Sequence, residues 1–317
     1  MLTLNDVITA QQRTAPHVRR TAPHVRRTPL FEADPIDGTQ IWIKAEFLQK
    51  CGVFKTRGAF NRQLAASENG LLDPTVGIVA ASGGNAGLAN AFAAASLSVP
   101  ATVLVPETAP QVKVDRLKQY GATVQQIGSE YAEAFEAAQT FESETGALFC
   151  HAYDQPDIAA GAGVIGLEIV EDLPDVDTIV VAVGGGGLYA GIAAVVAAHD
   201  IKVVAVEPSK IPTLHNSLIA GQPVDVNVSG IAADSLGARQ IGREAFDIAT
   251  AHPPIGVLVD DEAIIAARRH LWDNYRIPAE HGAAAALASL TSGAYKPAAD
   301  EKVAVIVCGA NTDLTTL

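Results

Sequence analysis

Thr178-Ile-Val-Val-Ala-Val183-Gly184-Gly185-Gly186-Gly187-Leu188-Tyr189-Ala190-Gly191 is the stretch that decides the fold. Its first part, 178–183, is an apolar, β-rich run that reads as a strand buried on both faces, and the alanine-rich run after the glycines reads as a helix. Four consecutive glycines are costly in chain entropy. They are reasonable where backbone N–H groups at a helix N-terminus must wrap an anion such as a phosphate. The same letters also fit a second reading. Gly185-x-Gly187-x-x-Ala190 matches a dinucleotide fingerprint, and Glu207 follows the next strand where a ribose-binding acid would stand. The loop by itself therefore leaves a nicotinamide-dependent oxidoreductase open. A Walker-type GxxxxGK[ST] is absent from the sequence, which argues against a nucleotide hydrolase.

Outward from this loop, strand and helix alternate. Strands are expected at 41–45, 77–81, 101–105, 123–127, 178–183, 203–206 and 303–308, and helices at 58–68, 86–96, 111–120 and 131–145. Further helices follow the strands at 178–183 and 203–206. This is the pattern of parallel sheets covered on both faces. We expect two α/β lobes: a large one from 1–70 and 150–317, and a small one from 71–149 that closes over a ligand. The ligand would lie in the cleft outside the carboxyl ends of the strands. A short helix over 3–13, capped by Thr3 or Asn5, precedes a perfect tandem copy of TAPHVRR at 14–20 and 21–27. It reads as a duplicated loop or helix end, or as an Arg-rich arm with altered subunit contacts.

Two further loops carry chemistry. In Cys51-Gly-Val-Phe54-Lys55-Thr-Arg57-Gly58-Ala59, a lysine sits beside an aromatic ring between two glycines. Desolvation there would lower the pKa of its amine and make it nucleophilic toward a carbonyl. In Ser82-Gly83-Gly84-Asn85-Ala86-Gly87, glycines turn backbone N–H groups to one point as a helix opens, a nest suited to a carboxylate or phosphate. The nicotinamide reading leaves both loops unexplained.

The chain has 317 residues, a formal net charge of −13 and three cysteines (Cys51, Cys150, Cys308) far apart in sequence. An acidic balance opposes nucleic-acid binding. The odd, unclustered cysteines argue against a disulfide framework or a zinc ribbon and for a reducing compartment. No apolar run reaches the ~20 residues needed to cross a bilayer, so no membrane role is expected.

Taken together and in order, the motifs resemble the threonine/serine dehydratase and serine racemase branch of the fold-type II, tryptophan-synthase-like, pyridoxal-phosphate enzymes. The resemblance rests on Thr28-Pro29-Leu30, Lys44-Ala-Glu46-Phe-Leu-Gln49, Phe54-Lys55-Thr-Arg57-Gly58-Ala59 and Ser82-Gly-Gly-Asn85. It continues through Pro106-Glu107-Thr108-Ala109-Pro110, Gly184–Gly187 and Cys308-Gly-Ala-Asn311. It implies a two-lobed α/β fold, pyridoxal 5′-phosphate as cofactor, an amino-acid substrate, a cytoplasmic homodimer, and β-elimination of a β-hydroxy amino acid to a 2-oxo acid and ammonia. β-Replacement and serine racemisation are the alternatives within the same branch. By the same resemblance, Lys55 would hold the cofactor and carry the Cα proton, beside Phe54. Gly184, Gly185, Gly186, Gly187 and Leu188 would bind its phosphate, Asn85 its ring hydroxyl, and Cys308 would face its pyridine nitrogen. Ser82, Gly83, Gly84, Asn85 and Ala86 would grip the substrate carboxylate, and Glu280 would lie near the ring. A thiol partner does not favour a protonated pyridine, so the cofactor would be a weaker electron sink, which favours prompt loss of a β-leaving group.

The sequence departs from the branch pattern in two places. Racemases have a second serine where this chain has Gly83, which has no side chain to move a proton, so elimination with little racemisation is expected. Some members bind a divalent cation through an acid matching Glu207, but the second acidic position here is Thr213. A lone carboxylate is a poor cage for Mg²⁺ or Ca²⁺, so a metal requirement is left open and Glu207 reads as a structural residue or a weak site. Nine residues follow Cys308 in this sequence, so an effector domain of the kind appended to biosynthetic threonine enzymes is not expected.

Overall fold

The computed structural model describes residues 1–17 and 24–317. Two sheets organise it. The larger has six strands in the order β1-β2-β10-β7-β8-β9 and the smaller has four in the order β5-β4-β3-β6. The strands are β1 (Leu30–Ile36), β2 (Thr39–Lys44), β3 (Ile78–Ala81), β4 (Ala101–Val105), β5 (Thr123–Gln126), β6 (Leu148–Phe149), β7 (Thr178–Ala182), β8 (Lys202–Pro208), β9 (Ile255–Val259) and β10 (Lys302–Ile306). Every pairing is parallel except β1 with β2. β7 is buried along its whole length in the centre of the large sheet, as its apolar run requires.

Small residues let the helices beside the large sheet approach to backbone contact. A Cβ on Gly191, in the Gly187–Val196 helix, would lie 2.3 Å from the Ala159 carbonyl oxygen and 2.5 Å from the Gly163 nitrogen. The Pro156–Asp172 helix crosses the Lys55–Glu68 helix in the same way, because a Cβ on Gly58 would sit 2.6 Å from the Ile158 carbonyl oxygen. These contacts fix the start of the helix that carries Lys55.

Beneath that start lies a closed group of buried charges. Arg57 donates to Glu46 at 2.8 and 2.9 Å and to Glu168 at 2.8 Å through both Nη atoms, and Lys44 donates to Glu168 at 2.6 Å. The Thr28 hydroxyl completes the set on Glu46. Two cations meet two carboxylates, so burial leaves no net charge unpaired. Although desolvation opposes its charge, Glu46 and Glu168 hold the Arg57 guanidinium above its ordinary pKa.

Several sequence expectations shift. β1, β6 and β9 were not among the expected strands. β1 is an edge ribbon paired antiparallel with β2, β6 spans two residues, and β9 alternates exposed and buried positions on the free edge of the sheet. Lys55 opens a helix instead of standing in a loop before one, since the helix begins at Lys55 with Gly58 in its first turn. Cys308 lies two residues beyond β10, which ends at Ile306, because the chain leaves the sheet to accept the Phe54 N–H on the Cys308 carbonyl at 3.0 Å. The first helix spans Leu4–Thr14 with Thr3 as its cap. Of the duplicated segment, 18–23 lies outside the described residues. His17 and His24, which occupy the same place in the two copies, stack at 5.7 Å and both rest on Phe60.

Candidate active site

One cleft gathers the sequence-selected residues from separate parts of the chain. Phe54, Lys55, Asn85, Gly184, Gly185, Gly186, Gly187, Leu188, Glu280 and Cys308 all line it. Its continuation toward the small sheet is lined by Gly83, Gly84 and Asn85, and Ala86 lines the apolar wall on the other side of Lys55.

The Lys55 amine donates to the Ala152 carbonyl at 3.1 Å and stands 5.0 Å from the Phe54 ring centroid. Desolvation lowers its pKa, opposed by Cys308 and Glu280. The environment thus pushes the amine toward its neutral, nucleophilic form. Glu280 accepts from the Asn85 amide on both carboxyl oxygens, at 3.1 and 3.0 Å. Burial pushes its carboxyl up to about 7, against the Asn85 hydrogen bonds and the Lys55 charge. Asn85 Oδ1 in turn accepts from Asn311 Nδ2 at 2.7 Å. Burial also raises the pKa of the Cys308 thiol, so that it stays neutral.

The tetraglycine turn is built for a group that approaches backbone closely. A Cβ on Gly185 would meet the Tyr153 ring at 2.4 Å, and one on Gly187 would meet the Tyr153 carbonyl oxygen at 2.6 Å. Gly186 has φ +89°, and a Cβ there would lie 2.4 Å from that of Ala245. Among the described residues, the N–H groups of Gly185, Gly186, Gly187 and Leu188 donate to no turn, loop or side-chain acceptor. They stand at the N-terminus of the Gly187–Val196 helix, where the macrodipole favours an anion. This donor set, a desolvated lysine in the same cleft and a neutral thiol fit a phosphorylated aldehyde cofactor.

Two sequence-selected residues stand apart. The Ser82 hydroxyl accepts the Gly84 N–H at 3.3 Å and is not part of the cleft lining. Glu207 lies behind the turn and serves the Thr213–Ala220 helix. It accepts from the Leu214 and His215 N–H groups at 2.7 and 2.9 Å and from the Thr213 hydroxyl at 3.1 Å. Burial nevertheless pushes its carboxyl up to about 7. Among the described residues no group of three or more His, Cys, Asp or Glu could hold a metal ion.

Sequence reasoning missed Tyr153, His151, Ser235, Lys113 and Arg116. Tyr153 covers the glycine turn and donates to the Gln240 carbonyl at 3.2 Å. His151 Nδ1 accepts from the Tyr153 and Asp154 N–H groups at 3.1 and 2.8 Å, and burial lowers its pKa. Ser235 Oγ accepts from the Gly282 N–H at 2.9 Å, beside Glu280. None of these lies in a glycine-rich or strand-end signature. Only the His151-Ala-Tyr-Asp-Gln-Pro156 run, a break after β6, marked a loop there.

Residues 21–309 match the model of the family described as pyridoxal-phosphate dependent enzyme. The chain is 34% identical to the L-threonine ammonia-lyase of Thermotoga maritima, over 100% of this chain and 77% of that protein. It is also 34% identical to the phenylserine dehydratase of Ralstonia pickettii, over 91% of this chain and 89% of that one. The solved structure of maize serine racemase superposes with a TM-score of 0.90 at 30% identity, covering 99% of this chain and 95% of the other. The nicotinamide reading falls with these matches, and the chain belongs to the pyridoxal-phosphate dependent enzymes.

Proposed function

We propose that this enzyme eliminates water from a small β-hydroxy amino acid such as threonine or serine, releasing a 2-oxo acid and ammonia. The observation that carries the reading is the shared cleft of Lys55, the Gly184–Leu188 turn and Cys308, together with relatives named threonine ammonia-lyase and phenylserine dehydratase. Bound pyridoxal 5′-phosphate supplies an aldehyde for the amines of lysine and substrate, and a conjugated ring that withdraws electrons from Cα. Gly184 to Leu188 would hold its phosphate, and Phe54 flanks Lys55.

The Lys55 amine, biased toward its neutral form by desolvation, would take the proton from Cα. Cys308, a neutral thiol in the cleft lining, would face the ring nitrogen of the bound cofactor and would not stabilise a positive charge there. Such a partner would limit the electron withdrawal the cofactor supplies and would favour early loss of the β-hydroxyl. Asn85, braced by Glu280 and Asn311, orients the ring hydroxyl, and the Ser82–Ala86 turn binds the substrate carboxylate. Residues 71–149, around the four-stranded sheet, form the small lobe that closes over the substrate.

The test is a panel of β-hydroxy amino acids incubated with cofactor-loaded enzyme, followed for ammonia and keto acid. Release from serine, threonine or phenylserine without added thiol is expected, with D-serine forming far more slowly because Gly83 has no proton-carrying side chain. Silence across the panel, or D-serine outpacing pyruvate, would sink the reading. We also infer a cytoplasmic homodimer, supported by the family resemblance, by the three free cysteines and by the exposed apolar Ile255 and Leu258 on the β9 edge. Light scattering should then give twice 32.9 kDa.

A further inference from the structure

We propose that Arg116 binds the carboxylate of the amino-acid substrate, adding a cation to the backbone amides of the Ser82–Ala86 turn. The inference rests on the reading of this cleft as an amino-acid site. Arg116 lies on the Gln111–Gln119 helix and lines the part of the cleft formed by Gly83, Gly84 and Asn85. Lys113 lines it too, but its ammonium is committed to Asp234 at 2.5 Å. Arg116 is different. Among the described residues it has no carboxylate partner, and its one hydrogen bond runs from Nη2 to Asn311 Oδ1 at 2.9 Å. A guanidinium has five N–H donors in a planar fork, so a single amide oxygen leaves the remaining donors for a carboxylate in the cleft.

The other acids near this space are occupied. Glu280 accepts from Asn85, and Asp234 accepts from Lys113. A substrate carboxylate seated at the Ser82–Ala86 turn would therefore share this space with one guanidinium that has no carboxylate partner among the described residues. Through Asn311, which bonds Asn85, the same guanidinium is also tied to the residue proposed to orient the cofactor ring. A purely structural role through that tie is the rival explanation, and the experiment separates the two.

Glycine and glycinamide share the amine and differ only in the carboxylate, and neither can eliminate. Their dissociation constants are measured by titrating the absorbance of the cofactor-loaded enzyme. The R116Q variant should bind glycine about 10- to 100-fold more weakly, the loss expected for a charge-assisted pair, while glycinamide changes less than about threefold. Equal weakening of both ligands would mean a brace through Asn311, and no weakening of glycine would mean no contact; either overturns the proposal. R116K, which keeps the charge but not the fork, should retain part of the preference for the acid. A lysine variant as deficient as R116Q overturns it too. If the acid–amide preference follows Arg116 but no β-hydroxy amino acid is turned over, the reaction reading has failed and this assignment stands. If serine is turned over and the preference ignores Arg116, this assignment alone has failed.

Discussion

Glu280 and Lys55 share a cleft whose burial penalises charge on both, and the consequences run in opposite directions along the pH scale. The folded chain holds the Glu280 proton more tightly than the unfolded chain does, since burial moves its carboxyl from 4.5 to about 7. Stability from this group is full below about pH 4.5 and is lost as the pH rises toward 7. Lys55, whose pKa is lowered, penalises the folded state where the unfolded amine is protonated and the folded one is not favoured so; its contribution improves as the pH rises toward the ordinary lysine range. Glu207 shifts in the same sense as Glu280, so the variant must be compared with the parent. In the cofactor-free protein, E280Q should show a smaller fall in melting temperature between pH 5 and 7.5 than the parent does. Identical slopes would show that Glu280 ionises normally. Lys55 and the glycines were legible because each breaks a local rule: an amine beside an aromatic ring, and four residues without side chains where a helix starts. Arg116 and Tyr153 were not, because an arginine at a helical position and a tyrosine in a loop break no rule until the fold brings them to the cleft.

At the scale of elements, the strongest constraint is backbone-to-backbone packing of helices. Gly191 has no room for a methyl group, with Ala159 O and Gly163 N at 2.3 and 2.5 Å from the place its Cβ would take. G191A should therefore separate the Pro156–Asp172 and Gly187–Val196 helices and cost about 1–3 kcal/mol, the usual range for overpacking. Denaturant unfolding of the two proteins checks this, and an unchanged midpoint would show that the helices yield freely. Because the second helix begins at the glycine turn, cofactor affinity should fall with stability. Strand–helix alternation was readable from apolar runs and punctuating glycines, which located β2, β3, β4, β5, β7, β8 and β10. β1, β6 and β9 escaped for physical reasons. The first carries acids and a proline on an edge, the second is two residues long, and the third is half exposed. The buried Lys44–Glu168–Arg57–Glu46 set was equally invisible, because charged residues 124 positions apart in sequence give no sign of pairing.

For the whole molecule, two sheets place three sequence-distant loops around one cleft, and Glu207 serves the start of the helix behind it. Both Glu207 oxygens are used by the start of the Thr213–Ala220 helix. Exhaustive treatment with a chelator should leave turnover and melting temperature unchanged, whereas a loss restored by Mg²⁺ or Ca²⁺ would show that Glu207 serves a cation after all. The central claim concerns a single nitrogen. Borohydride reduction of the cofactor-loaded enzyme, followed by proteolysis and mass spectrometry, reads it directly. The account predicts one phosphopyridoxyl group, on the peptide that contains Lys55. The group found on any other lysine, or Lys55 recovered unmodified from protein that retains its cofactor, would contradict it.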